Sequence, residues 1–135
     1  MIQFYKDPTG RLLEPTLFSE KAEKLAKEIH AAGLNDRQRL ERNKRTQLRK
    51  FYDEVVRLNS IASNRTNAEA WDNIIPYVNM LIAKTAYAEG RKLVTGNFTA
   101  FMKDSIGQIR GREDLAVFTN LFEAFMGFYK QYDAS

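Results

Sequence analysis

An all-α, single-domain bundle of about five helices, preceded by a short irregular N-terminal arm, is the fold this sequence predicts. Three observations lead there. Apolar residues recur at helical spacing almost everywhere after residue 16, the strict alternation of a half-buried strand is nearly absent, and residues suited to capping fall between the periodic runs. With 135 residues, 44% hydrophobic and 12% aromatic, the chain suits one compact domain that needs no staples. The expected division is an arm over residues 1–16 and a helical domain over residues 17–135.

In the arm, Ile2, Phe4 and Tyr5 precede Asp7-Pro8-Thr9-Gly10, a turn signal, so this segment is expected to be extended or to form a small hairpin. The first helix is expected to start after Ser19 as N-cap, to carry Ala22, Leu25, Ile29 and Ala32 on one face, and to stop at Gly33 in the C-terminal cap. Residues 35–45 hold Leu40 as their only strong hydrophobe and read as a solvent-facing helix or a mobile basic connector. Thr46 suits the N-cap of a second helix, which gathers Leu48, Phe51, Tyr52, Val55 and Leu58 in one arc. Lys50, Asp53 and Arg57 then point the other way, and Arg49 lies on the flank.

After a loop at Ser63-Asn64-Arg65, Thr66 followed by Glu69 makes a capping-box signal for the third helix. That helix, with Ala70, Trp71, Ile74, Ile75, Val78, Leu81, Ile82 and Ala86, is the most hydrophobic run and is expected to be central to the core. Pro76 inside it predicts a kink or a division near Ile75. Asn97 is expected to cap a fourth helix bearing Phe98, Phe101, Met102, Ile106 and Ile109 and closing at Gly111. Glu113 and Asp114 suit the first turn of a fifth, whose stripe of Leu115, Phe118, Leu121, Phe122, Phe125, Met126, Tyr129 and Tyr132 reads as core packing. Phe128 lies off the stripe centre, where it suits a partner contact.

The residues exclude several chemistries. There is no cysteine, hence no disulfide framework, thiolate metal site or cysteine nucleophile. The single histidine, His30, is expected at the surface near a helix end, its charge favoured by the C-terminal dipole. The pairs Asp53-Glu54 and Glu113-Asp114 are adjacent in sequence, so on helices their side chains diverge by about 100° and suit neither paired acid/base work nor a two-carboxylate metal site. The glycines fit no phosphate-binding loop. No enzyme activity, cofactor or metal is therefore expected. The N-terminus lacks the pattern of a secretory signal and no window approaches about 18 uninterrupted apolar residues, so a soluble cytoplasmic protein without membrane contact is expected.

Charge carries the positive signal. From Asp36 to Lys50 there are seven basic residues (Arg37, Arg39, Arg42, Lys44, Arg45, Arg49, Lys50) against Asp36 and Glu41, a sum of +5, while the remaining 120 residues sum to −1. Concentrated charge of this kind fits a phosphate-facing patch, and equally a solvated face. Lys44 and Arg45 fall just ahead of a helix start, whose N–H groups and dipole favour anions. Phe51 and Tyr52 are spaced to pack inward, which leaves anion binding to the cations and only a minor part to stacking.

The run Lys44-Arg45-Thr46-Gln47-Leu48-Arg49-Lys50-Phe51-Tyr52 resembles a signature of the small subunit of type III-A CRISPR-Cas (Csm) effector complexes. LIAKTAYAEGRK, residues 81–92, and NLFEAFMGFYKQY, residues 120–132, agree in order and spacing, so the resemblance spans about residues 44–132. The chain through Gly33 matches no pattern of that family, and Gly127 stands where a better helix former is expected. The resemblance implies an all-α, non-catalytic, RNA-binding subunit of an antiviral ribonucleoprotein. Its partners would be CRISPR RNA and target RNA, the large and backbone subunits that it bridges, and copies of itself repeated along the RNA. Such repetition requires head-to-tail contacts that do not close. By matching position, Lys44, Arg45, Arg49 and Lys50 would face RNA, with Arg91 and Lys92 nearby; Arg110 and Arg112 are added by charge alone. Two other readings stay open: a helical interaction module for an acidic protein, and a helix-turn-helix DNA-binding protein. The latter needs a turn of three or four residues before its recognition helix.

Overall fold

The structure, a computed structural model, describes residues 2–7, 9, 12–64 and 69–132. A π-helical turn, Leu17–Lys21, leads into α1 (Ala22–Gly33). There follow α2 (Arg45–Ala62), α3 (Glu69–Gly90), α4 (Gly96–Ile106) and α5 (Arg112–Tyr129), the last running into a 3-10 turn, Lys130–Tyr132. Among the described residues there is no sheet, only the isolated bridges Tyr5↔Leu13 and Leu34↔Leu40. The all-α bundle expected from periodicity is thus the observed architecture. No helix of the described residues is long and apolar enough to cross a membrane.

The bundle is built around α5, which packs against both α1 and α2, while α3 covers α2 and α4. Leu115, Phe118, Leu121, Phe122, Phe125 and Tyr129 of α5 are buried, as the stripe predicts. Phe101 contributes from α4, its ring centroid 5.6 Å from Phe122 in an edge-on arrangement and 5.7 Å from Phe125 in a stacked one. In α2, Leu48, Phe51, Val55 and Leu58 are buried and Tyr52 half-buried, while Lys50, Asp53 and Arg57 are exposed, again as the wheel requires.

The arm forms the hairpin alternative. The Glu14 N–H donates to the Phe4 carbonyl at 2.9 Å and the Lys6 N–H to the Leu12 carbonyl at 2.9 Å. Phe4 is fully buried, 6.4 Å from Phe118. The Gln108 side-chain amide imitates a neighbouring strand: its oxygen accepts from the Phe4 N–H at 2.9 Å and its nitrogen donates to the Ile2 carbonyl at 2.8 Å.

Several boundaries differ from expectation, each for a local reason. Ser19 lies inside the π-helical turn instead of capping α1, and the N-cap of α2 is Lys44 instead of Thr46. Neither Thr95, which precedes α4, nor Asn97 caps through its side chain; Asn97 donates across to the Glu28 carbonyl at 3.2 Å and so ties α4 to α1. Helix α4 ends at Ile106, short of Gly111. Thr66 and the expected capping box lie outside the described residues, as does the side chain of Ala70. Helix α3 continues through Pro76 as one helix, so no division occurs there. It is also peripheral instead of central. Ile74, Val78, Leu81, Thr85 and Ala88 are buried, but Ala86, Tyr77, Met80 and Tyr87 face solvent. A helix that is apolar on most sides gives its periodicity little power to say which side is inward.

Candidate nucleic-acid interface

Residues 34–44 form neither a helix nor an open connector. The Leu34↔Leu40 bridge closes them, and the Asn35 side chain accepts from the Arg37 N–H at 2.8 Å and the Arg39 N–H at 3.1 Å, an Asx turn that sends the chain back on itself. Gln38 and Asn43 take positive φ, 61° and 59°, as the reversal demands. The Glu41 and Arg42 N–H groups then donate to the Gly33 carbonyl at 2.9 and 3.1 Å, bringing the strand leading to α2 directly against the end of α1. Gly33 is required there by closeness, since a Cβ would overlap the Arg42 carbonyl oxygen. This connection is also longer than the turn of a helix-turn-helix.

Asn43 fixes what meets at this pole. It is fully buried, and its side-chain nitrogen donates to the Ile29 carbonyl of α1 at 2.8 Å and to Thr95 Oγ1 at 2.7 Å. Its side-chain oxygen accepts from the Thr95 N–H at 2.9 Å, its N–H donates to the Leu93 carbonyl at 2.9 Å, and its carbonyl accepts the Tyr129 hydroxyl at 2.5 Å. One side chain and its peptide groups therefore join the end of α1, the start of α2, the α3–α4 turn and the end of α5. Sequence reading did not single out Asn43; the available signal was the tolerance of asparagine for positive φ in a segment too polar to be core.

The consequence is electrostatic. Lys44 and Arg45 open α2, and the Asn43 bonds hold the α3–α4 turn, with exposed Arg91 and Lys92, beside them. Lys92 adopts φ of 63°, reversing the chain so that it leaves α3 at this pole. Arg49 and Lys50 follow one turn along α2, both exposed; Arg49 Nε lies 4.0 Å from Asp53 with both side chains more than half exposed, a weak pairing in water. Arg37 and Arg39 stand exposed on the loop next to the same pole.

Arg110 and Arg112 do not belong to this group. The Arg112 Nε donates to the Ala62 carbonyl at 2.7 Å, capping the far end of α2, and 18 residues of helix put that end about 26 Å from Lys44. The Arg110 N–H donates to Asp114, whose other oxygen accepts the Tyr5 hydroxyl. Burial and that carboxylate together push the Tyr5 pKa up to about 12.

His30 departs from the exposed, dipole-charged histidine expected. It is half-buried, stacked on Tyr132 with ring centroids 4.3 Å apart and set edge-on to Tyr129 at 5.9 Å. Burial lowers its pKa below the ordinary value, which disfavours the charged ring expected from the helix dipole. Tyr129 is likewise raised by burial and stays a hydroxyl donor.

A family model described as Csm2 Type III-A matches residues 13–135, which includes residues 13–43 that the sequence resemblance left uncovered. Neither the curated proteins nor the solved structures contain a match.

Proposed function

The chain belongs to the Csm2 type III-A family, matched over residues 13–135, and from its place as a small subunit of the type III-A CRISPR effector complex we propose that it binds RNA through the Asn43 pole. Lys44, Arg45, Arg49, Lys50, Arg91 and Lys92 hold the phosphates of the guide–target backbone, and the subunit bridges its neighbours without a catalytic step of its own. It works in the cytoplasm. The observation that carries this reading is that two basic segments more than forty residues apart in sequence meet beside one helix start, joined by the Asn43 to Leu93 and Thr95 bonds.

The contacts proposed are to backbone, not to base edges, so affinity is expected to be insensitive to sequence and sensitive to salt. With about five cations on single-stranded phosphates, log affinity falls against log salt with a slope of roughly −3 to −4. Changing Lys44, Arg45 and Arg49 together to Ala should flatten that slope by about two. A salt-independent affinity, or an unchanged slope in a folded triple variant, would remove the assignment. Retention of an acidic protein without RNA would favour the interaction-module reading.

A further inference from the structure

One exposed flank of α3 is not an ordinary solvated helix face. On α1 the outward positions are Glu23, Lys24, Lys27 and Glu28, charges that cost nothing in water. On α3 they include Tyr77, Met80 and Tyr87, left 58, 50 and 60% exposed. These fall with Lys84 and Arg91 at spacings of three and four residues, a single stripe along one flank of α3, about 100° round the helix from the buried Ile74, Val78 and Leu81.

Cations are interleaved with the exposed rings. The Arg91 guanidinium lies 5.7 Å from the Tyr87 ring centroid, and Arg57 on the adjacent helix α2 is held by Glu54 at 2.7 Å. Lys84 sits at the centre of the stripe, where a docked apolar helix would leave its charge unsolvated. Arg91 also belongs to the phosphate patch at the pole, so the stripe continues that patch along α3 for about 20 Å, the rise of the fourteen residues from Tyr77 to Arg91. Exposed aromatic faces alternating with cations, continuous with a phosphate-binding surface, are the arrangement that holds unstacked bases.

We propose that this exposed flank of α3 binds unpaired RNA bases, with Tyr77 and Tyr87 as stacking platforms and Lys84 and Arg91 as phosphate partners. This rests on the RNA reading of the pole and adds a preference for single strands over duplex that backbone contacts alone do not provide.

The test compares the full chain bound to a single-stranded RNA oligonucleotide, an RNA duplex, and an abasic ribose–phosphate strand of equal length. Tyr77→Ala and Tyr87→Ala should each lower single-strand affinity by roughly five- to a hundredfold, leaving duplex and abasic binding and the salt slope unchanged. Tyr87→Phe, which keeps the ring, should bind as the unaltered chain does. Both tyrosines are exposed, so the fold is retained and checked by circular dichroism. Equal losses on all three ligands, or no loss on any, overturn the base-stacking site while a steep salt slope upholds the pole. Absence of RNA binding at every salt concentration overturns both. Weakened assembly with the other effector subunits at unchanged single-strand affinity would make the stripe a protein contact and overturn the proposal.

Discussion

Tyr129, at the end of α5, donates its hydroxyl to the carbonyl of Asn43, at the start of α2, across 2.5 Å in a fully buried site. The bond closes the pole because Asn43 already satisfies partners on α1 and on the α3–α4 turn. Removing the hydroxyl in Tyr129→Phe leaves a buried carbonyl short of a donor and should cost about 1–3 kcal/mol. Asn43→Ala should cost more, since it strips several partners at once and places alanine at φ of 59°. Asn43→Gly loses the same side-chain bonds without the backbone penalty and should recover about 1 kcal/mol relative to Ala. Urea unfolding of the three variants checks the order.

Two glycines at helical positions should respond with opposite sign. Gly33→Ala forces a methyl group onto the Arg42 carbonyl oxygen, and the displaced loop should cost about 1–3 kcal/mol despite alanine's helix propensity. Gly127 has open space where its Cβ would stand, so Gly127→Ala should stabilise α5 by about 0.5–1 kcal/mol. Thermal midpoints of the pair decide this.

The pH dependence of stability should carry two signatures. The folded pKa of His30 is depressed by burial, so between that value and the unfolded 6.5 only the unfolded chain takes up the proton. Stability is therefore complete above about 6.5 and falls as pH is lowered through this window, a loss that His30→Phe should remove. Tyr5 has its folded pKa raised from 10.0 to about 12, so its contribution is complete below pH 10 and declines as pH rises toward 12. Chemical denaturation across pH, with Tyr5→Phe as the control, measures both.

Arg112 separates charge that binds from charge that builds. Arg112→Met removes the donor to the Ala62 carbonyl and should lower stability by about 1–3 kcal/mol. The salt slope of RNA affinity should not change, because this guanidinium stands at the opposite end of α2 from Lys44. Parallel unfolding and binding titrations would distinguish the two roles.

Much of this arrangement was legible in residue order. The α5 stripe and the α2 arc are regular at 3.6 residues per turn, and that period alone turns Phe118, Phe122, Phe125, Leu48 and Val55 inward. Ser19, Thr46 and Asn97 have the right chemistry for helix caps, yet Ser19 and Thr46 already lie inside helical turns and Asn97 bonds the Glu28 carbonyl of α1. Helix α3 carries apolar residues on most of its faces, and only the position of α2 and α4 decides that Tyr77 and Tyr87 lie outside.

The sequence by itself determined the helical class, the aromatic core and the concentration of charge between Asp36 and Lys50, because periodicity and composition are local properties of the chain. Tertiary structure decided which charges share a surface. Arg91 and Lys92 join Lys44 and Arg45 because Asn43 bonds the α3–α4 turn to the start of α2, and Arg112 is drawn away because it caps the other end. Those choices depend on hydrogen bonds between residues separated by fifty positions, which no local pattern encodes.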